Sequence, residues 1–90
     1  MTYERLPGHD LVQAGIEDLS HGIESVTALL VSIGAPRLRR LGLSVPQPIP
    51  SPELRLYELL RRSGPDAAHA RYNALIRRLV SFERAAECAK

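Results

Sequence analysis

Ninety residues, 44% of them apolar and 24% charged, with a net charge of +2, make one globular domain and exclude a mostly disordered chain. A single cysteine, Cys88, excludes an intrachain disulfide and a cysteine-ligated metal cluster. The longest apolar run, VTALLVSIGAP, is far shorter than the ~20 residues that cross a bilayer.

No segment alternates apolar and polar residues as a strand does, whereas helical spacing recurs throughout. The expected fold class is all-α: a small bundle of four main helices plus one short helical turn. It should form a single domain over residues 1–90, with an extended proline-rich connection over 43–51. Leu11, Val12, Gly15, Ile16 and Leu19 share one stripe of a first helix over about residues 9–20. Asp10 serves it as a cap or first-turn acid, and Gly22 as a left-handed terminator. Val26, Leu29, Leu30 and Ile33 fall at i, i+3, i+4 and i+7 of a second helix over about 24–33, opened by Glu24 or Ser25 and closed by Gly34. Ala28 and Val31 make it apolar nearly all round, so it should be the most buried. Pro36 suits the first position of a short third helix that ends before Gly42.

Proline then occupies every second position from 46 to 52 in LSVPQPIPSP. Each proline lacks an N–H and disfavours the helical conformation for the residue before it, so this segment must be extended. A packed strap is expected rather than a PxxP ligand, because the prolines alternate, with Val45 and Ile49 covering apolar side chains of the bundle. Ser51-Pro52-Glu53 opens a fourth helix over about 52–62, with a capping hydroxyl, a first-position proline and an acid. Leu56, Tyr57, Leu59 and Leu60 form its buried face. After Ser63-Gly64-Pro65-Asp66 comes a fifth helix over about 65–88, whose stripe is Ala68, Tyr72, Leu75, Ile76, Leu79, Phe82 and Ala86. At ~1.5 Å per residue it is roughly 35 Å long, longer than its neighbours. Part of its apolar face is therefore expected to overhang the bundle and to meet a second copy.

The charges are segregated. Residues 1–34 hold five acids against one arginine, and residues 35–90 hold eleven Arg and Lys against five acids. Such a division suits packing of one half on the other, pairing between subunits, or a polyanionic partner. Arg61-Arg62 is explained locally by a helix C-terminus and by Glu58 three and four positions earlier. Arg37, Arg39, Arg40, Arg71, Arg77 and Arg78 have no acid three or four positions away, and these six are the candidate contacts to an acidic protein surface or an anion. The acids of the first helix are one expected set of partners.

Other chemistry is sparse. VTALLVSIGAPRLRRLGL has the order of a helix-turn-helix, but its second helix is too short to fill a major groove and offers no Asn or Gln to read adenine. Arg62 and His69, with six residues between them, have a spacing that resembles the Arg-and-His motif of HEPN-type all-α ribonucleases. That resemblance spans eight residues and is interrupted by Gly64-Pro65. The three histidines are scattered, with no His-x-x-x-His pair, and no metal or cofactor is expected. Glu83 lies at the edge of the fifth helix's apolar stripe and, if buried, requires an arginine or the hydroxyl of Tyr57 or Tyr72.

The expected function is that of a small non-enzymatic helical protein acting through protein–protein contacts, as a homodimer or as a subunit of a complex. A nucleic-acid-binding regulator using the basic C-terminal half comes second, and a ribonuclease-like enzyme third. No membrane partner is expected. MTYERLPGHD lacks the apolar core of a signal peptide, so a cytoplasmic location is expected.

Overall fold

In the computed structural model, which describes residues 3–89, the first apolar stripe becomes α1 (His9–Ser20), with the bounds its sequence predicts. Asp10 lies in its first turn. Gly22 takes the left-handed conformation (φ 70°). Here the Gly22 N–H reaches the Leu19 carbonyl and the Ile23 N–H reaches that of Asp18, which satisfies two carbonyls the helix leaves open.

The second and third expected helices are one. α2 runs from Val26 to Arg40 with Pro36 inside it, and Gly34 is not a terminator. Proline fixes φ near a helical value and removes only one hydrogen bond, the one its absent N–H would give to the Ser32 carbonyl. Stopping at Gly34 would leave Ala35 and Leu38 outside the helix that buries them, and both are fully buried in the fold. A proline in a helix interior costs about 3 kcal/mol. Burial of Leu38 alone returns about 1.5–3 kcal/mol, and Ala35 adds to it. The true end is Gly42 (φ 98°), where the Gly42 N–H meets the Arg39 carbonyl and the Leu43 N–H meets that of Leu38. Ser25 opens α2 by accepting the Ala28 N–H at 3.1 Å. As expected of the most apolar helix, α2 buries Ala28 through Ser32, Gly34, Ala35 and Leu38 and packs against all three other helices.

Two close approaches set this packing. A side chain at Gly15 would collide with the Thr27 carbonyl oxygen and Val31 Cγ2, so α1 rests directly on the α2 backbone. A Cβ at Gly34 would lie 3.0 Å from Glu83 Oε2 and 3.1 Å from Leu79 Cδ1. Gly34 is therefore a contact residue beneath α4 rather than a break in α2.

The proline-rich segment is a packed strap. Val45 is buried and Ile49 half-buried against the core. The Ile49 N–H donates to Ser32 Oγ at 3.0 Å, and that hydroxyl donates to the Ala28 carbonyl at 2.8 Å. The strap delivers the chain to α3 (Pro52–Ser63), with Pro52 at its start and Glu53 in its first turn. The expected capping role of Ser51 does not hold. Ser51 takes the left-handed conformation (φ 51°) instead of the extended one a capping residue needs, and its hydroxyl makes no bond to the helix start.

α4 (Ala68–Ala89) begins three residues later than expected. Pro65 to Ala67 form a turn in which the Ala67 N–H bonds the Gly64 carbonyl. The apolar stripe of α4 does not overhang. Ala68 near one end and Ala86 near the other are both fully buried. Residues before α1 close the α2–α4 seam. Tyr3 donates its hydroxyl hydrogen to the Leu41 carbonyl at 2.9 Å and sets its ring edge-on to Phe82 at 5.8 Å.

Candidate interaction surface

The six candidate arginines do not converge. Arg37, on α2, reaches across to α4, where Nη1 lies 3.4 Å from Glu83 Oε1 and Nη2 2.8 Å from Glu87 Oε2. Arg39 clamps the strap, its guanidinium donating to the carbonyls of Val45 at 3.0 and 3.3 Å and of Pro46 at 3.1 Å. Arg40 lies with Arg37, Leu41 and Glu87 around a depression of about 220 Å³. On α4, Arg78 meets Asp10 of α1 at 3.1 Å, which is the expected contact between the basic half and the acidic first helix. Arg71 donates to Ser63 Oγ at 3.3 Å. Among the described residues, Arg77 is exposed with no hydrogen-bond or ion-pair partner.

Glu83 is the buried carboxylate that its place on the stripe suggests, 5% exposed. Its partner is Arg37, not Tyr57 or Tyr72, whose rings pack against each other tilted by 59° at 5.8 Å. Burial pushes the Glu83 carboxyl above its usual 4.5, and Glu87 adds to the rise, while Arg37 opposes it.

The helix-turn-helix arrangement is absent, because the residues that would form its turn lie inside the continuous α2. Arg62 stands in the last turn of α3. His69 stands at the start of α4, exposed, with a ring nitrogen 3.1 Å from the Asn73 amide. Ser25 donates to Asp18 Oδ2 at 2.6 Å, and Thr27 to the same oxygen at 3.3 Å. With Ser25 also accepting the Ala28 N–H, this cluster joins the end of α1 to the start of α2. Among the described residues, no three His, Cys, Asp or Glu side chains are grouped to hold a metal ion.

A different surface stands out. Among the described residues, the large apolar side chains left most exposed are Ile23 at 50% and Leu54 at 66%. Leu54 precedes Arg55, and Ile23 precedes Glu24. Arg55 Nη1 donates to Glu24 Oε1 at 2.8 Å, which joins the two neighbourhoods. Beside this ion pair, Glu24, Leu54, Arg55, Glu58, Leu59 and Arg62 line an open groove of about 310 Å³. The five residues from α3 fall at i, i+1, i+4, i+5 and i+8, one stripe of a helix. The sequence carried a signal for it: Leu54 lies outside the buried face formed by Leu56 and Leu60, about 200° of helical turn from Leu56.

No known protein family, curated protein or solved structure matches this chain.

Proposed function

We propose that this is a small non-enzymatic helical protein that works through protein–protein contacts, as a homodimer or as a subunit of a larger complex. The observation that supports the reading is exposed Leu54 in a groove lined by both signs of charge, with exposed Ile23 next in sequence to the groove's Glu24. Apolar anchors within a polar rim are the composition of protein interfaces. A cytoplasmic setting goes with this reading, since a chain with one cysteine forms no internal disulfide and suits a reducing compartment. Among the described residues no helix is long and apolar enough to cross a membrane. Light scattering of the purified chain, together with mass analysis of what co-purifies from its source cell, tests the proposal. Self-association or a stoichiometric protein partner is expected, and a strict monomer without any partner would overturn it.

A nucleic-acid-binding role is the second reading. Arg77 and Arg84 lie seven residues apart on one exposed face of α4, without partners among the described residues. It ranks below the first because Arg37, Arg39 and Arg78 are held by intramolecular acceptors. Binding to mixed DNA or RNA at about 50 mM salt, weakening steeply as salt is raised, is its signature. No binding under that condition sinks it.

A further inference from the structure

We infer that two copies of the chain pair through the outer stripe of α3, antiparallel, about a twofold axis between Leu56 and Tyr57. This rests on the protein-contact reading and specifies the partner as a second copy. A surface that meets itself must be self-complementary, and the α3 stripe is so in one register. It reads Leu54-Arg55, two intervening residues, then Glu58-Leu59. Reversed upon itself about its midpoint, it sets Arg55 at the height of Glu58 of the partner subunit, and Leu54 at the height of the partner's Leu59. The twofold repeats both relations.

The rest of the groove agrees. Its lining holds two acids, Glu24 and Glu58, and two arginines, Arg55 and Arg62. That balance suits a copy of itself and disfavours a polyanion, which requires an excess of cations. Leu54, the most exposed of the large apolar side chains, becomes covered. Glu24 already orients Arg55 at 2.8 Å, so the guanidinium is held in place before the partner arrives, which lowers the entropy lost on association. One 12-residue helix from each chain makes a small contact. Association is therefore expected at roughly micromolar concentrations or above.

Sedimentation equilibrium from about 1 μM to about 1 mM, with circular dichroism to verify folding, tests the inference. The unaltered chain is expected to dimerise within that range. Leu54→Glu should leave it folded and weaken the dimer at least about tenfold, since the residue is outside the core. Arg55→Glu would face Glu58 of the partner subunit, and Glu58→Arg would face the partner's Arg55. Each should weaken association at least about tenfold by like-charge contact. The double variant R55E/E58R restores opposite charges across the axis and should recover the dimer, an outcome that generalised damage to the fold does not produce. A chain that stays monomeric to about 1 mM overturns the inference. So does a dimer that survives all three single substitutions, although that dimer would still satisfy the broader protein-contact reading. Loss in the single variants without recovery in the double one overturns the register.

Discussion

Glu83 and Arg37 are joined across 46 residues of sequence by a contact whose two members differ in exposure. The Glu83 side chain is 6% exposed and that of Arg37 35%. Breaking such a pair from the arginine side strands the buried carboxylate. Arg37→Met keeps the aliphatic stem and removes the charge. It is expected to cost about 1–3 kcal/mol at pH 7 by urea unfolding. Because burial raises the Glu83 carboxyl, its proton is held more tightly in the folded chain than in the unfolded one. Its contribution to stability is therefore fully present below the usual 4.5 and is lost as pH rises through the raised folded value. The deficit of the Met variant should accordingly shrink as pH is lowered into that window. Adding Glu83→Gln to Arg37→Met should recover most of the loss at pH 7, since a neutral amide has no charge to strand. Glu83→Gln alone should be neutral or stabilising at pH 7, because Arg37 retains Glu87 at 2.8 Å. A large loss in that single variant would show that the ionised pair is a net contributor.

Among the elements, α2 anchors the strap through side-chain hydrogen bonds. Ser32 Oγ links the Ala28 carbonyl to the Ile49 N–H, and Arg39 holds the strap's carbonyls from the other end. Ser32→Ala removes the acceptor for a partly buried N–H and should cost about 1–3 kcal/mol. Amide exchange at Ile49 should accelerate well beyond that of core amides in α2, and equal acceleration everywhere would mean that the strap is not separately anchored. Pro36→Ala acts the other way. The residue is exposed, and alanine restores the missing bond to the Ser32 carbonyl. Stability should rise by about 1–2 kcal/mol, less than the full ~3 kcal/mol for a helical proline because proline also stiffens the unfolded chain. A fall in melting temperature would mean that Pro36 fits a local geometry which alanine does not.

For the whole molecule, apolar packing rather than charge sustains the fold. Its ion pairs Arg55–Glu24, Arg61–Glu58 and Arg78–Asp10 lie on the surface, where each contributes about 0–1 kcal/mol. Among the described residues, sixteen buried apolar side chains form one cluster drawn from all four helices and the strap. Raising NaCl to about 1 M should therefore change the unfolding free energy by no more than about 1 kcal/mol. A much larger loss would assign the fold to its electrostatics. The segregation of acids and bases along the chain is resolved partly inside the monomer, through Arg78 and Asp10, and partly by contacts within the basic half, through Arg37 with Glu83 and Glu87.

The sequence by itself determined what depends on nearby residues. Helical spacing set α1 to its observed bounds and α3 to within one residue of them. The proline alternation required an extended connection, and the place of Glu83 at the edge of its stripe required a partner for that carboxyl if it was buried. Tertiary structure decided what depends on the worth of distant contacts. Pro36 and Gly34 read locally as punctuation, yet α2 continues through them because Ala35 and Leu38 gain a core there and α4 packs closely on Gly34. The six candidate arginines looked alike because none had an acid within a helical turn. Only the fold brought Arg37 to α4, Arg39 to the strap and Arg78 to α1. The spacing of α3 puts Leu54 off its buried face, and the packing of the other helices decided that it stays 66% exposed. A helix records its own periodicity in its sequence, whereas which of its faces finds a neighbour depends on where the rest of the chain lies.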